Sequence, residues 1–68
     1  MTLSENRVLD ILPELGRTAT RGNIAKRLQL RPKRVGMVLQ TLKTLGYAEL
    51  LWDGRAVWAM TARGQRAT

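Results

Sequence analysis

Between Pro32 and Gly46, Val35, Val38, Leu39 and Leu42 recur at the i, i+3, i+4, i+7 spacing of one helical face, and Leu45 continues the stripe. Proline suits the first helical position, where its missing donor does no harm, and glycine suits the C-terminal cap. The pattern predicts a helix over 32–45. An amphipathic helix must bury its apolar face against other elements, so the rest of the chain has to supply them.

Two further helices meet that need. Val8, Ile11, Leu12 and Leu15 repeat the same spacing, and Thr2-Leu3-Ser4-Glu5 fits a capping box. Pro13 cannot donate a backbone hydrogen bond, so this helix is expected to end or kink there, covering about 3–13. Thr18-Ala19-Thr20, β-branched at alternate positions, reads as a minimal strand, with Thr20 also a good N-cap. Ile24, Ala25 and Leu28 mark a short helix over 21–28, with Lys26 and Arg27 on its open side. Residues 29–31 make a tight connection to Pro32.

Beyond Gly46 the pattern changes to two runs of strand formers, 47–52 and 55–60, separated by Asp53-Gly54. That dipeptide is a strong signal for a two-residue type I′ turn. Such a loop would set Trp52 opposite Arg55, Leu50 opposite Val57 and Glu49 opposite Trp58. Trp52 and Trp58 would then lie on opposite faces, with Trp58 and Met60 packing on helix 32–45. The polar tail 61–68 is expected to fray at its end. The expectation is one α+β domain over 1–68: three helices, a short strand and a C-terminal two-stranded hairpin. Two short helices joined by a three-residue turn form a helix-turn-helix, and the hairpin adds a wing.

Charge is segregated along the chain. Residues 1–15 hold one base and three acids, whereas residues 16–46 hold eight bases and no acid. Such an arrangement repels itself unless something anionic offsets it, and a nucleic-acid backbone is the usual candidate. A net charge of +7 agrees. The chain has no cysteine and no histidine. With only five acids, no acid–base pair, nucleophile dyad or metal cluster can be assembled, so neither enzymatic activity nor a cofactor or metal is expected. No apolar run approaches the ~20 residues of a membrane span, and the N-terminus lacks the pattern of a signal peptide. A cytoplasmic, nucleoid-associated protein is expected.

The string Ile24-Ala25-Lys26-Arg27-Leu28-Gln29-Leu30-Arg31-Pro32, followed by Val35, Val38-Leu39, Leu42 and Leu45-Gly46-Tyr47, resembles the winged-helix transcription regulators of bacteria, archaea and phages. Trp58-Ala59-Met60-Thr61-Ala62-Arg63-Gly64 is similar to the aromatic-x-Leu-Thr-x-x-Gly that often ends the wing in multiple-antibiotic-resistance-type regulators. The resemblance implies double-stranded DNA as the partner. It departs at Arg31, where the family usually caps the third helix with Ser or Thr.

Helical-wheel arithmetic sorts helix 32–45. Opposite its apolar stripe run Lys33, Met37, Gln40 and Thr44, flanked by Gly36 and Thr41, with Arg34 and Lys43 further round. Lys33, Arg34, Gly36, Met37, Gln40, Thr41 and Thr44 are the candidate base contacts in a major groove. Lys33 would donate to guanine, Gln40 would bond an adenine edge, and Met37 would pack on a thymine methyl. Gly36 would allow close approach either to the groove or to a neighbouring element. Thr20, Arg21, Lys26, Arg27, Arg31 and Lys43 are the candidate phosphate contacts. Arg55, at the wing tip, would reach a phosphate or an adjacent minor groove, or stack on Trp52. The alternatives are a docking module for a protein partner and a phage or plasmid architectural DNA-binding factor. A homodimer or a protein partner would use the hairpin or the surface of the first helix.

Overall fold

A computed structural model describes residues 1–67. Among them the chain forms four α-helices and a two-stranded antiparallel sheet, in the order α1 (Leu3–Leu15), a 3-10 turn (Gly16–Thr18), α2 (Arg21–Leu28), α3 (Pro32–Thr44), β1 (Ala48–Trp52), β2 (Ala56–Met60) and α4 (Ala62–Ala67).

Local chemistry sets each boundary. The Thr2 hydroxyl accepts from the Glu5 amide at 3.2 Å, and the Thr2 amide donates to Glu5 Oε1 at 2.8 Å, which completes the capping box of α1. Pro13 lies inside the helix rather than ending it, and α1 runs on to Leu15. Only the proline's own donor is lost, and at an exposed site in the last turn that is tolerable. Thr20 caps α2 by accepting from the Asn23 amide at 3.2 Å.

The ends of α2 and α3 share one solution. Leu30 N–H donates to Ala25 and Gln29 N–H to Lys26, while Tyr47 N–H donates to Leu42 and Gly46 N–H to Lys43. Each pair satisfies the last carbonyls in a Schellman arrangement, which requires a left-handed residue just past the helix. Gly46 supplies it freely at φ 80°, whereas Gln29 is held there at φ 57°. Arg31 stands at the N-cap of α3 without a side-chain capping bond.

The core gathers one face from each helix and from the sheet. Val8, Leu9, Ile11 and Leu12 meet Ile24, Ala25, Val35, Val38, Leu39 and Leu42, with Ala48, Val57 and Trp58 closing the far side. Seven aliphatic side chains from α1, α2 and α3 are fully buried, each contributing about 1.5–3 kcal/mol. Among the described residues no polar side chain is buried. Leu45, read as the last core residue of α3, is instead exposed beside the cap.

Three further expectations change. Residues 18–20 form no strand; a 3-10 turn occupies 16–18, and Ala19 accepts one bond from the Trp58 amide at 2.8 Å. The hairpin register is Ala48↔Met60, Glu49↔Ala59, Leu50↔Trp58, Leu51↔Val57 and Trp52↔Ala56, so the loop is Asp53-Gly54-Arg55. A type I′ turn needs positive φ at both central residues, and only Gly54 has it, at 69°. The extra loop residue brings Trp52 and Trp58 onto one face, because the side-chain period is two. Trp58 is buried; strand for strand, β2 lies chiefly against α1 and β1 against α3.

The third change is at the tail, which folds as α4. Thr61 caps it by accepting from the Gly64 amide at 3.0 Å and donates its hydroxyl to the Gly46 carbonyl at 2.6 Å. Thr61 N–H bonds Tyr47 O at 3.0 Å, and Gly64 lies buried against the Tyr47 backbone. The fraying expected at position 68 lies outside the described residues.

Candidate nucleic-acid interface

An open groove runs between the start of α2, the outer face of α3 and the hairpin. It is lined by Thr20, Arg21, Lys33, Gly36, Met37, Gln40, Thr41 and Arg55, with Leu50, Ala56 and Trp58 as its apolar wall. Eight of the candidate contacts therefore share one surface, although they come from three separate elements. Among the described residues, none that lines the groove is acidic.

Each element contributes for a physical reason. The N-cap at Thr20 directs the first turn of α2 into the groove, so the positive end of that helix adds to the charge of Arg21. Burial of Val35, Val38, Leu39 and Leu42 turns the opposite face of α3 outward, leaving Lys33, Met37, Gln40 and Thr41 exposed. The three-residue loop carries Arg55 to the groove from the hairpin side.

Gly36 has a definite local role. A Cβ added there would lie 3.3 Å from Arg21 Cδ and 3.5 Å from its Nη1. The guanidinium arm thus lies across α3 where the helix has no side chain. Of the two uses weighed for Gly36, the structure has the approach of a neighbouring element.

The other candidates fall outside the groove. Arg34 reaches sideways and donates to Ser4 Oγ at 3.4 Å. Arg27 pairs with Glu14 at 3.1 Å, both exposed. Thr44 donates its hydroxyl to Gln40 O at 3.0 Å, and inside the groove Thr41 does the same to Met37 O at 3.2 Å. Lys26, Arg31 and Lys43 are exposed elsewhere on α2, at the α3 cap and on α3. Among the described residues, Arg27–Glu14 is the one ion pair, so the other bases of 16–46 carry charge without an acid partner.

Among the described residues the cation–π contact considered for Arg55 and Trp52 is not present; in the observed register Trp52 pairs with Ala56. The ring contact present is Arg63 over Tyr47, 5.7 Å from the centroid. The apolar wall of Leu50 and Ala56 was missed in the sequence, because a two-residue loop sets the wrong residues opposite each other. No signal in the sequence separates the two loops, because the difference rests on the φ of Asp53.

No helix among the described residues is long and apolar enough to cross a membrane. Comparison of the chain with known protein families, with curated proteins and with solved structures returns no match.

Proposed function

We propose that the chain is a winged-helix domain that binds double-stranded DNA as a sequence-specific regulator. In this reading α3 enters the major groove, and the hairpin 48–60 lies on the adjacent backbone or minor groove. The observation that carries it is the acid-free groove in which Arg21, Lys33 and Arg55 surround the polar face of α3. At thirteen residues α3 is about 20 Å long, and a major groove about 12 Å wide admits one helix. Lys33, Met37 and Gln40 then meet base edges, while Arg21 and Arg55 take phosphates.

Binding to duplexes selected from a random pool tests this. Lys33→Ala and Gln40→Ala should relax sequence preference, and Arg21→Ala should weaken all sequences alike. The two phosphate contacts of Arg21 and Arg55 give a log–log salt slope of about −1.8, steeper by about 0.9 for each further base engaged. Amide spectra of residues 31–44 that do not move on adding duplex at low salt would refute the proposal. A domain built to dock an acidic protein would show that outcome.

A further inference from the structure

Asparagine and aspartate carry a carbonyl carbon close enough to the backbone for the next residue's amide nitrogen to close a five-membered ring on it. Holding the two groups side by side in one chain replaces a chance encounter, and a following glycine, with no Cβ, hinders the closure least. The chain has Asn6, Asp10, Asn23 and Asp53, and of these Asp53 alone precedes a glycine.

The fold separates Asp53 from the other three in the same way. Asn6 and Asp10 lie within α1 and Asn23 within α2, where the following amide is held in the helical ladder. Asn23 also donates from Nδ2 to Thr18 O at 2.9 Å. Asp53, Gly54 and Arg55 are exposed at the tip of the hairpin. Among the described residues neither Gly54 N–H nor the Asp53 carboxylate has a hydrogen-bond or ion-pair partner. Nothing lies within 4 Å of a Cβ built on Gly54, whose φ is 69°. The bond that crosses the loop, from Asp53 N–H to Arg55 O at 2.9 Å, ties down neither reacting atom.

We infer that Asp53-Gly54 isomerises spontaneously in the folded protein, and that the product carries Arg55 out of the groove. The Gly54 nitrogen attacks Asp53 Cγ. An N–C bond forms, a Cγ–O bond breaks, and the departing hydroxyl leaves with the amide proton as water. Water then adds to the cyclic imide. Breaking the Cγ–N bond returns aspartate. Breaking the bond from the nitrogen to the main-chain carbonyl leaves the chain running through Cβ and Cγ, an isoaspartate of unchanged mass and charge. Water is released and taken up, and nothing else is consumed.

The isoaspartate adds one backbone bond of about 1.5 Å to a loop of three residues closed by the Trp52–Ala56 pair. The ladder behind that pair is fixed by hydrogen bonds, so the added length is taken up in the loop. Arg55 is the loop residue that lines the groove. The conversion is independent of the DNA-binding reading; the loss of affinity that follows from it rests on that reading.

Incubation of the folded protein at mildly acidic pH, followed by peptide mapping and an isoaspartate-specific carboxyl methyltransferase, tests this. Isoaspartate should accumulate at position 53, through an intermediate lighter by one water, at a rate within a few-fold of that in urea. Asp53→Glu, which would have to close a six-membered ring, should fold alike and show none. Asp53→Asn, whose ring closes with loss of ammonia, should convert faster and gain negative charge on ion exchange. In the converted protein the amide resonances of Trp52, Arg55 and Ala56 should shift while those of α1 stay in place. Its affinity for duplex should fall several-fold, with a salt slope shallower by about 0.9, and Asp53→Glu aged alike should keep its affinity.

No isoaspartate at position 53 in the folded chain overturns the inference, as does conversion an order of magnitude slower than in urea. Unmoved resonances at Arg55 overturn its second half, and so does converted protein that binds duplex as well as fresh protein does. Fresh protein that binds no duplex refutes the DNA-binding proposal alone, and the Arg55 resonances then decide.

Discussion

Replacing glycine by alanine should have opposite effects at Gly64 and Gly22. At Gly64 an added Cβ collides with the Tyr47 carbonyl oxygen and lies 2.9 Å from the Tyr47 carbonyl carbon and 3.0 Å from Met60 Cγ. Ordinary contacts are 3.4–4 Å, and a backbone carbonyl cannot swing away as a side-chain tip can. The change must therefore lift α4, straining the two bonds from Thr61 to the Gly46–Tyr47 turn. Overpacking costs about 1–3 kcal/mol, and the two hydrogen bonds, weakened rather than broken, together cost about 1 kcal/mol. The helical gain of alanine over glycine returns about 0.5–1 kcal/mol. The net expectation is a loss of about 2 kcal/mol. Gly22, in the first turn of α2, has nothing within 4 Å of an added Cβ, so Gly22→Ala should gain about 0.4–1 kcal/mol. Urea unfolding followed by circular dichroism separates them, since an m-value near 1 kcal/mol/M turns the Gly64→Ala loss into a midpoint about 2 M lower. A Gly64→Ala midpoint within about 0.5 M of the parent, or a shift of the same sign for both variants, would refute the packing of α4 on Tyr47.

Gln29→Gly should stabilise by about 1 kcal/mol in the same assay, because it relieves a left-handed residue at φ 57°; destabilisation would contradict that backbone. Glu14→Gln should release Arg27 from its ion pair and, if the DNA-binding proposal holds, raise affinity for random duplex with a steeper salt slope. Unchanged affinity would mean that Arg27 lies away from the nucleic acid. Gly36→Ala should raise stability by about 0.5–1 kcal/mol yet weaken duplex binding, because the new methyl displaces Arg21; gel shifts that match the parent would detach Arg21 from the interface.

Helical boundaries were legible where a local chemical device sets them. The Thr2–Glu5 box, the Thr20 cap, Pro32 and Gly46 each declare an end through their own side chain or ring, and the buried stripe of α3 follows from period alone. Less legible was whatever depends on one torsion or on a distant partner. Asp53-Gly54 reads as a two-residue turn until Asp53 keeps a negative φ, and that one angle moves every cross-strand pair. α4 was hidden because its six residues include no large apolar side chain and so show no apolar period; Thr61 and Gly64 become informative only once the Gly46–Tyr47 turn lies beside them. The site followed the same rule. The outward face of α3 could be read by counting, whereas the coming together of Arg21 with Gly36, and the departures of Arg27 to Glu14 and Arg34 to Ser4, are long-range events.

The bond from Trp58 to Ala19 joins the hairpin to the chain just ahead of α2. A pull on the tip at Arg55 is thereby delivered to the residue before Thr20 and is not lost in a loose connection. If the DNA-binding proposal holds, that bond keeps the backbones carrying Arg55 and Arg21 at a set spacing before either side chain meets a phosphate. A preset spacing gives up less conformational freedom on binding, and it would favour anions whose separation matches over those whose separation does not.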